Sequence, residues 1–308
     1  MISRESASRG ESDAEVQIDA RAMARAFGAA ATTYDSSAQL QGEVRQELLA
    51  RVTELRGEPH VVIDLGAGTG AATPLLKQMF PRALVCAVDI TPSMLVRAAS
   101  RIGMLDRLWP WSRRRFECVG ADARRLPFAD GSVDLVFSNL MLQWCDDLDT
   151  VLMEIRRVLS PQGVFLFSSF GPTTLQELRG AWAAVDGYPH VNIFVDVHDL
   201  GAALSRSGFA EPVLDIDRLV RQYADVMALL AHLKAIGARN ARVQRKRGLT
   251  GRSALRRMQE AYAQIVGRAV DVPATWEVVY GCAFAARMGT RRAAGSETVI
   301  PITRIGRR

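Results

Sequence analysis

Short apolar runs alternate with amphipathic stretches between about residues 61 and 170. Val61, Val62, Ile63 and Leu65 open the series, and a compact run rich in β-branched residues predicts a buried strand. Further strands are expected at 84–88, 115–119, 133–138 and 163–169, with helices between them. Regular strand–helix alternation implies a mostly parallel sheet with right-handed crossovers. Ahead of this core, Ala22, Met23, Ala26, Phe27 and Ala30 recur at helical spacing, and Asp19 stands at the N-cap position. A second helix is expected over 36–55, with Leu40, Val44, Leu48 and Val52 as its apolar stripe. After Gly171 the period changes: Leu175, Leu178, Trp182 and Val185 mark a helix that begins at Thr173 and breaks at Asp186-Gly187-Tyr188-Pro189-His190. A helix at 196–207, a strand at 212–220, helices at 224–236 and 250–266 and a strand at 275–284 complete the pattern. The reading is a doubly wound α/β fold with a mostly parallel seven-stranded sheet. Residues 1–18 and 288–308 read as flexible tails, 19–56 as N-terminal lid helices, 57–170 as the ligand-binding core, and 171–287 as a further lid plus the remaining core.

Composition narrows the class of protein. With 308 residues, 48% hydrophobic and 23% charged, the chain can bury one large core. No stretch approaches the ~18 apolar residues of a membrane span, and residues 1–20 carry no apolar leader, so a soluble cytoplasmic protein is expected. The four cysteines are far apart without a Cys-x-x-Cys pair, and the four histidines lack ligand spacing, so no metal site is expected. The net charge of +6 favours an acidic partner. Basic motifs interleaved with aromatics are missing, which argues against nucleic acid.

The candidate chemistry begins where the first strand ends, at Asp64-Leu65-Gly66-Ala67-Gly68-Thr69-Gly70. Three glycines let the backbone turn sharply and approach a ligand closely, between a strand and a helix. A Gly-x-Gly-x-Gly run alone also fits an ordinary tight turn, so the surrounding acids matter. Asp64 lies inside the motif. Asp89 ends the second strand, 19 residues beyond Gly70, where a carboxylate can accept hydrogen bonds from two ribose hydroxyls. Asp122 follows the third strand, within reach of an adenine amino group. The Gly-x-Gly-x-x-Gly spacing of nicotinamide-binding domains is absent. Strands ending in such acids resemble the class I S-adenosylmethionine (SAM) methyltransferases, as does the segment 126–136 leading into the fourth strand. That resemblance implies a Rossmann-like core binding SAM through Asp64, Gly66, Ala67, Gly68, Gly70, Asp89, Ile90, Met94, Asp122, Ala123, Asn139 and Leu140.

Four longer segments are more specific: Ala26-Phe27-Gly28-Ala29-Ala30-Ala31-Thr32-Thr33-Tyr34-Asp35, Ser138-Asn139-Leu140-Met141-Leu142-Gln143-Trp144, Phe170-Gly171-Pro172-Thr173-Thr174-Leu175-Gln176-Glu177-Leu178-Arg179 and Leu233-Lys234-Ala235-Ile236-Gly237-Ala238. They resemble the malonyl-acyl-carrier-protein O-methyltransferases of biotin synthesis over about residues 20–287; the N-terminal tail and an insert at 109–115 depart from that pattern. The resemblance implies methylation of the free carboxylate of a malonyl thioester on a carrier protein's phosphopantetheine arm. An ionised carboxylate needs no general base, so the missing catalytic pair is no objection. Tyr34 and Arg179, both in matched segments, are the candidate substrate-holding residues, Arg179 because a guanidinium grips a carboxylate bidentately. His190 and Lys234 are weaker candidates. Arg239, Arg242, Arg245, Lys246, Arg247, Arg252, Arg256 and Arg257, with no acid among them, form a candidate docking patch for an acidic carrier protein. Two alternatives share parts of the pattern: a complex I assembly protein that hydroxylates a protein arginine, which resembles the chain at 174–179 and 273–275, and a non-catalytic SAM-binding assembly factor.

Overall fold

A computed structural model describes residues 19–55, 57–108, 112, 114–238, 240 and 251–286. Three helices come first: α1 (Ala20–Ala30), α2 (Tyr34–Ser37) and α3 (Gln39–Val52). The core follows as β1 (Val61–Leu65), α4 (Thr73–Met79), β2 (Leu84–Asp89), α5 (Pro92–Ser100), α6 (Met104–Leu108), β3 (Glu117–Gly120), β4 (Val133–Asn139), α7 (Leu148–Val158) and β5 (Leu159–Phe170). The last part holds α8 (Gln176–Ala183), α9 (Val197–Arg206), β6 (Phe209–Tyr223), α10 (Val226–Ala235), α11 (Arg252–Val266) and β7 (Val272–Ala285).

The strands form a single seven-stranded sheet in the order β3-β2-β1-β4-β5-β7-β6. Neighbours from β3 to β5 run parallel, whereas β7 is antiparallel to both β5 and β6. Parallel strands bury both faces, which is why β1, β2 and β4 read as continuous apolar runs. Val62, Ile63, Val85, Val88, Val136 and Phe137 are all fully buried. The direction of winding reverses between β1 and β4, and the carboxyl ends of these strands open a crevice there.

Several boundaries differ from the sequence pattern for local reasons. The second expected helix is split at Ala38 (φ −89°, ψ 44°), which separates α2 from α3. Asp19 caps α1 as expected, its carboxylate accepting from the Ala22 amide at 2.9 Å. The helix expected from Thr173 starts only at Gln176, because Leu175 adopts φ 55°, outside the helical region. Edge strand β6 is longer than expected, with Val213, Ile216 and Val220 exposed. Residues 109–111 and 113 of the insert lie outside the described residues.

Candidate active site

The three glycines after β1 serve different purposes. At Gly66 (φ +72°) a Cβ would lie 2.3 Å from Met141 Cγ, and at Gly70 (φ +72°) one would lie 2.6 Å from Ala98 Cβ. Those two positions are glycine because the loop packs tightly and left-handed. Gly68 (φ +55°) also has left-handed backbone, but a Cβ there would meet no protein atom within 4 Å. Gly68 lines a cavity at the crevice, and the space a side chain would fill there stays open.

Asp89 sits at the end of β2 and orders this loop. Its Oδ2 accepts from the Gly68 amide at 2.9 Å and its Oδ1 from the Thr91 amide at 2.8 Å, and it lines the cavity. Burial nonetheless pushes its carboxyl above the usual range. Asp64 is more deeply placed, 2% exposed, with Oδ2 accepting from the Thr73 hydroxyl at 2.6 Å at the start of α4. Desolvation, reinforced by the charge of Asp89, raises it to about 7. Asp122 is held by Arg124, whose Nη2 donates at 2.6 Å, and this pairing lowers its pKa. Ile90, Met94, Asp122 and Ala123 line the same cavity, but Asp64, Ala67 and Gly70 stand behind its wall.

The end of β4 supplies the opposite wall. Leu140 takes φ 54°, a costly backbone for a branched side chain, held by amide donation to the Ser168 carbonyl at 3.1 Å. Asn139 is fixed on both sides: its Oδ1 accepts from the Ser168 hydroxyl at 2.9 Å and its Nδ2 donates to the Gln41 carbonyl at 3.2 Å. Both residues face the cavity.

The N-terminal helices close over these elements. Phe27 packs edge-on against Trp144, ring centroids 5.0 Å apart, and lies 6.4 Å from the Tyr34 ring; all three line the cavity. Burial, with Asp89 and Asp35 adding to it, pushes the Tyr34 phenol up to about 12, so it stays a protonated donor. Asp35 latches this segment to the glycine loop, accepting from the Thr69 hydroxyl at 2.6 Å and from Arg101 Nη2 at 2.5 Å. On α3, one helical turn apart, Gln41 Oε1 and Arg45 Nε are buried without a hydrogen-bond partner among the described residues. Gln41 lines the cavity, and Arg45 interacts electrostatically with Asp64, Tyr34 and Asp35. The hydrophobic stripe of α3 draws attention away from both residues; only their lack of partners marks them.

Arg179 is not among the cavity-lining residues. Its Nη2 donates to the carbonyls of Pro172 (2.5 Å) and Thr174 (2.9 Å), tying down the turn that precedes α8. The remainder of that segment is similarly engaged. Glu277 receives the Thr173 amide at 3.1 Å, and Glu177 receives the Thr275 amide at 3.1 Å. Arg179, expected to grip substrate, thus has its Nη2 engaged by backbone carbonyls outside the cavity lining. His190 stacks on Trp182 with centroids 3.9 Å apart and pairs with Asp186, away from the cavity. Lys234 is exposed beside α1. Of the basic patch, Arg252, Arg256 and Arg257 are exposed on α11, and Arg256 pairs with Glu260 at 3.0 Å; Arg239, Arg242, Arg245, Lys246 and Arg247 lie outside the described residues.

Known proteins fit this architecture. Residues 63–167 match a family described as a methyltransferase domain. The YcgJ protein of Bacillus subtilis superposes with a TM-score of 0.54 at 19% identity, covering 80% of this chain and 99% of its own, which establishes a shared fold. Sequence relatives are far closer. A protein of Halorhodospira halophila named malonyl-[acyl-carrier protein] O-methyltransferase is 46% identical over 269 residues, 87% of this chain and 88% of the relative. One of the same name from Methylovorus sp. is 43% identical over 267 residues, 87% and 89% of the two chains. With 43–46% identity over 87% of this chain and nearly nine-tenths of each relative, the chain belongs to the malonyl-[acyl-carrier protein] O-methyltransferase family.

Proposed function

We propose that this protein transfers a methyl group from SAM to the free carboxylate of a malonyl group carried as a thioester on acyl-carrier protein, giving the methyl ester used early in biotin synthesis. The observation that carries the reading is 46% identity to a relative of that name over 87% of the chain. No feature of the cavity favours arginine hydroxylation or a purely structural role over this one.

The residues present fit the cofactor. Gly68 leaves open the space that a side chain would fill, and Gln41 Oε1 and Arg45 Nε are buried polar atoms awaiting partners. An amino-acid end, with its carboxylate and ammonium, satisfies such groups, since leaving them unpaired costs about 1–3 kcal/mol each. Asp89 is the candidate for the ribose hydroxyls and Asp122 for the adenine end, with Ile90, Met94, Ala123 and Leu140 as apolar walls. When bound, SAM supplies a methyl group activated by a positively charged sulfonium.

The protein's own part is alignment and exclusion of water. A malonyl carboxylate is already ionised at neutral pH and attacks without a general base. Tyr34, kept protonated by its surroundings, donates to the carboxylate oxygen that does not attack, and so fixes the other. Phe27 and Trp144 present aromatic faces that favour a cationic ligand and keep the cavity dry. Residues 19–56 act as a lid that the Asp35 latch ties to the glycine loop. Arg179 stabilises the turn below Phe170, which itself lines the cavity. The basic stretch from Arg239 to Arg257 steers the acidic carrier toward the lid. The four free thiols suit a reducing cytoplasm, and among the described residues no helix is long and apolar enough to cross a membrane.

The test is the intact mass of malonyl-loaded carrier protein after incubation with the enzyme and SAM. A gain of one methylene, lost on mild ester hydrolysis, is expected. An unchanged carrier with SAM unconsumed would overturn the reading.

A further inference from the structure

The segment Leu233-Lys234-Ala235-Ile236-Gly237-Ala238 has no part in the chemistry above except through its end, since Ile236 and Ala238 line the cavity. Lys234 and Ala235 instead belong to one wall of a second depression. Ala231, Lys234 and Ala235 of α10 face Ala22, Arg25, Ala26 and Ala29 of α1 across an open groove of ≈ 620 Å³. At one end the two walls come together. Thr33 Oγ1 donates to the Ala235 carbonyl at 3.1 Å, and a Cβ on Gly237 (φ +70°) would lie 3.2 Å from the Ala26 carbonyl and from Ala30.

Three properties define what this groove can hold. First, alanines make up most of its described lining, so it is open because its side chains are short. Ala22 to Ala30 spans about 12 Å of helix, giving an elongated trough suited to a thin extended chain. Second, its charge has one sign. Arg25 and Lys234 are exposed on opposite walls, and neither α1 nor α10 contains a carboxylate. Third, it adjoins the active-site cavity through a shared wall. Met23 and Phe27, on the neighbouring stripe of α1, and Ile236, directly after α10, face the cavity while the alanines face the groove.

We propose that this groove is the docking track for the carrier's prosthetic arm, with the arm's phosphodiester held between Arg25 and Lys234. The proposal rests on the malonyl-thioester reading given above. An acyl group on a long arm must pass from the protein surface to the cavity, and its only fixed charge before the malonyl carboxylate is the phosphodiester. Two cations flanking a small-residue trough complement that one anion. The alanine walls accommodate the uncharged amide chain between the phosphate and the thioester.

Three malonyl thioesters separate the possibilities: malonyl carrier protein, malonyl-4′-phosphopantetheine, and malonyl-N-acetylcysteamine, which has no phosphate. The double variant Arg25→Glu/Lys234→Glu reverses two exposed charges outside the cavity. Its KM for both phosphate-bearing thioesters is expected to rise about tenfold or more, from loss of a charge-assisted contact. Its kcat, its SAM affinity and its KM for the phosphate-free thioester stay as in the wild type. Ala29→Phe, which fills the groove without changing charge, is expected to reproduce that pattern. A double variant indistinguishable from wild type, or one that impairs all three substrates equally, overturns the groove while leaving the methyltransferase reading intact. A wild-type enzyme that methylates none of the three overturns the methyltransferase reading and removes the groove's occupant with it.

Discussion

Gly68 and Gly70 are two residues apart in one motif, yet the structure predicts opposite consequences for replacing them with alanine. Both hold left-handed backbone, φ +55° and +72°, and a residue with a Cβ pays roughly 1–2 kcal/mol there. Part of that cost is offset, by about 0.4–1 kcal/mol, because alanine also restricts the unfolded chain. For Gly68→Ala nothing further is added, since the new methyl group meets no protein atom within 4 Å. Stability should fall by about 1 kcal/mol or less. For Gly70→Ala the methyl would sit 2.6 Å from Ala98 Cβ and 2.9 Å from Ala98 Cα, and α5 must shift to admit it. Overpacking of this kind adds about 1–3 kcal/mol, giving a total near 1–4 kcal/mol after the same offset. At about 2–4 °C per kcal/mol, Gly70→Ala should lower Tm by roughly 2–16 °C, and Gly68→Ala by at most about 4 °C. Binding should rank the other way. Gly68→Ala puts its methyl into the ligand cavity and should weaken SAM at least about tenfold, or 1.4 kcal/mol. Differential scanning fluorimetry without ligand and isothermal titration with SAM read the two quantities independently. If Gly68→Ala bound SAM as the wild type does, the cavity beside Gly68 would not be the cofactor site. If Gly70→Ala melted with the wild type, the packing account of that glycine would be wrong.

Two further outcomes follow from buried polar groups. Gln41→Leu should cut SAM affinity about 10- to 100-fold while leaving the ligand-free Tm unchanged or higher, because its buried Oε1 has no partner to lose; titration calorimetry showing unaltered affinity would remove Gln41 from the site. Asp64, raised by burial to about 7, should make ligand-free stability decline with pH. Below about pH 4 the carboxyl is protonated in both states, and between about 4 and 7 only the unfolded chain gives up its proton, so stability is lost progressively and levels off above the folded value. The loss from this one group is on the order of 4 kcal/mol, and Asp64→Asn should abolish it; Tm curves for variant and wild type that stay parallel from about pH 5 to 8 would contradict the assignment.

The sheet and the glycine loop were legible from sequence because their causes are local. Apolar runs at 61–63 and 135–137 specify strands buried on both faces, and a left-handed turn between a strand and a helix requires glycine. Asp89 was legible for the same reason, since its place at a strand end follows from chain order alone. The residues that act across the fold were not. Arg179 carries the ideal side chain for a carboxylate, but its Nη2 is turned to the carbonyls of Pro172 and Thr174 and it does not line the cavity. Gln41 and Arg45 sit within an ordinary helix stripe and stand out only when every neighbour has been placed and their buried atoms remain unpaired. The same holds for Arg25 and Lys234, 209 residues apart in the chain and brought together across one groove. Sequence by itself determined which segments form the sheet and which acids reach its carboxyl edge, because hydrophobic period and backbone sterics act over a few residues. Tertiary structure alone decided which polar groups remain available to a ligand, because a hydrogen bond made elsewhere in the fold removes a side chain from the chemistry its type would suggest.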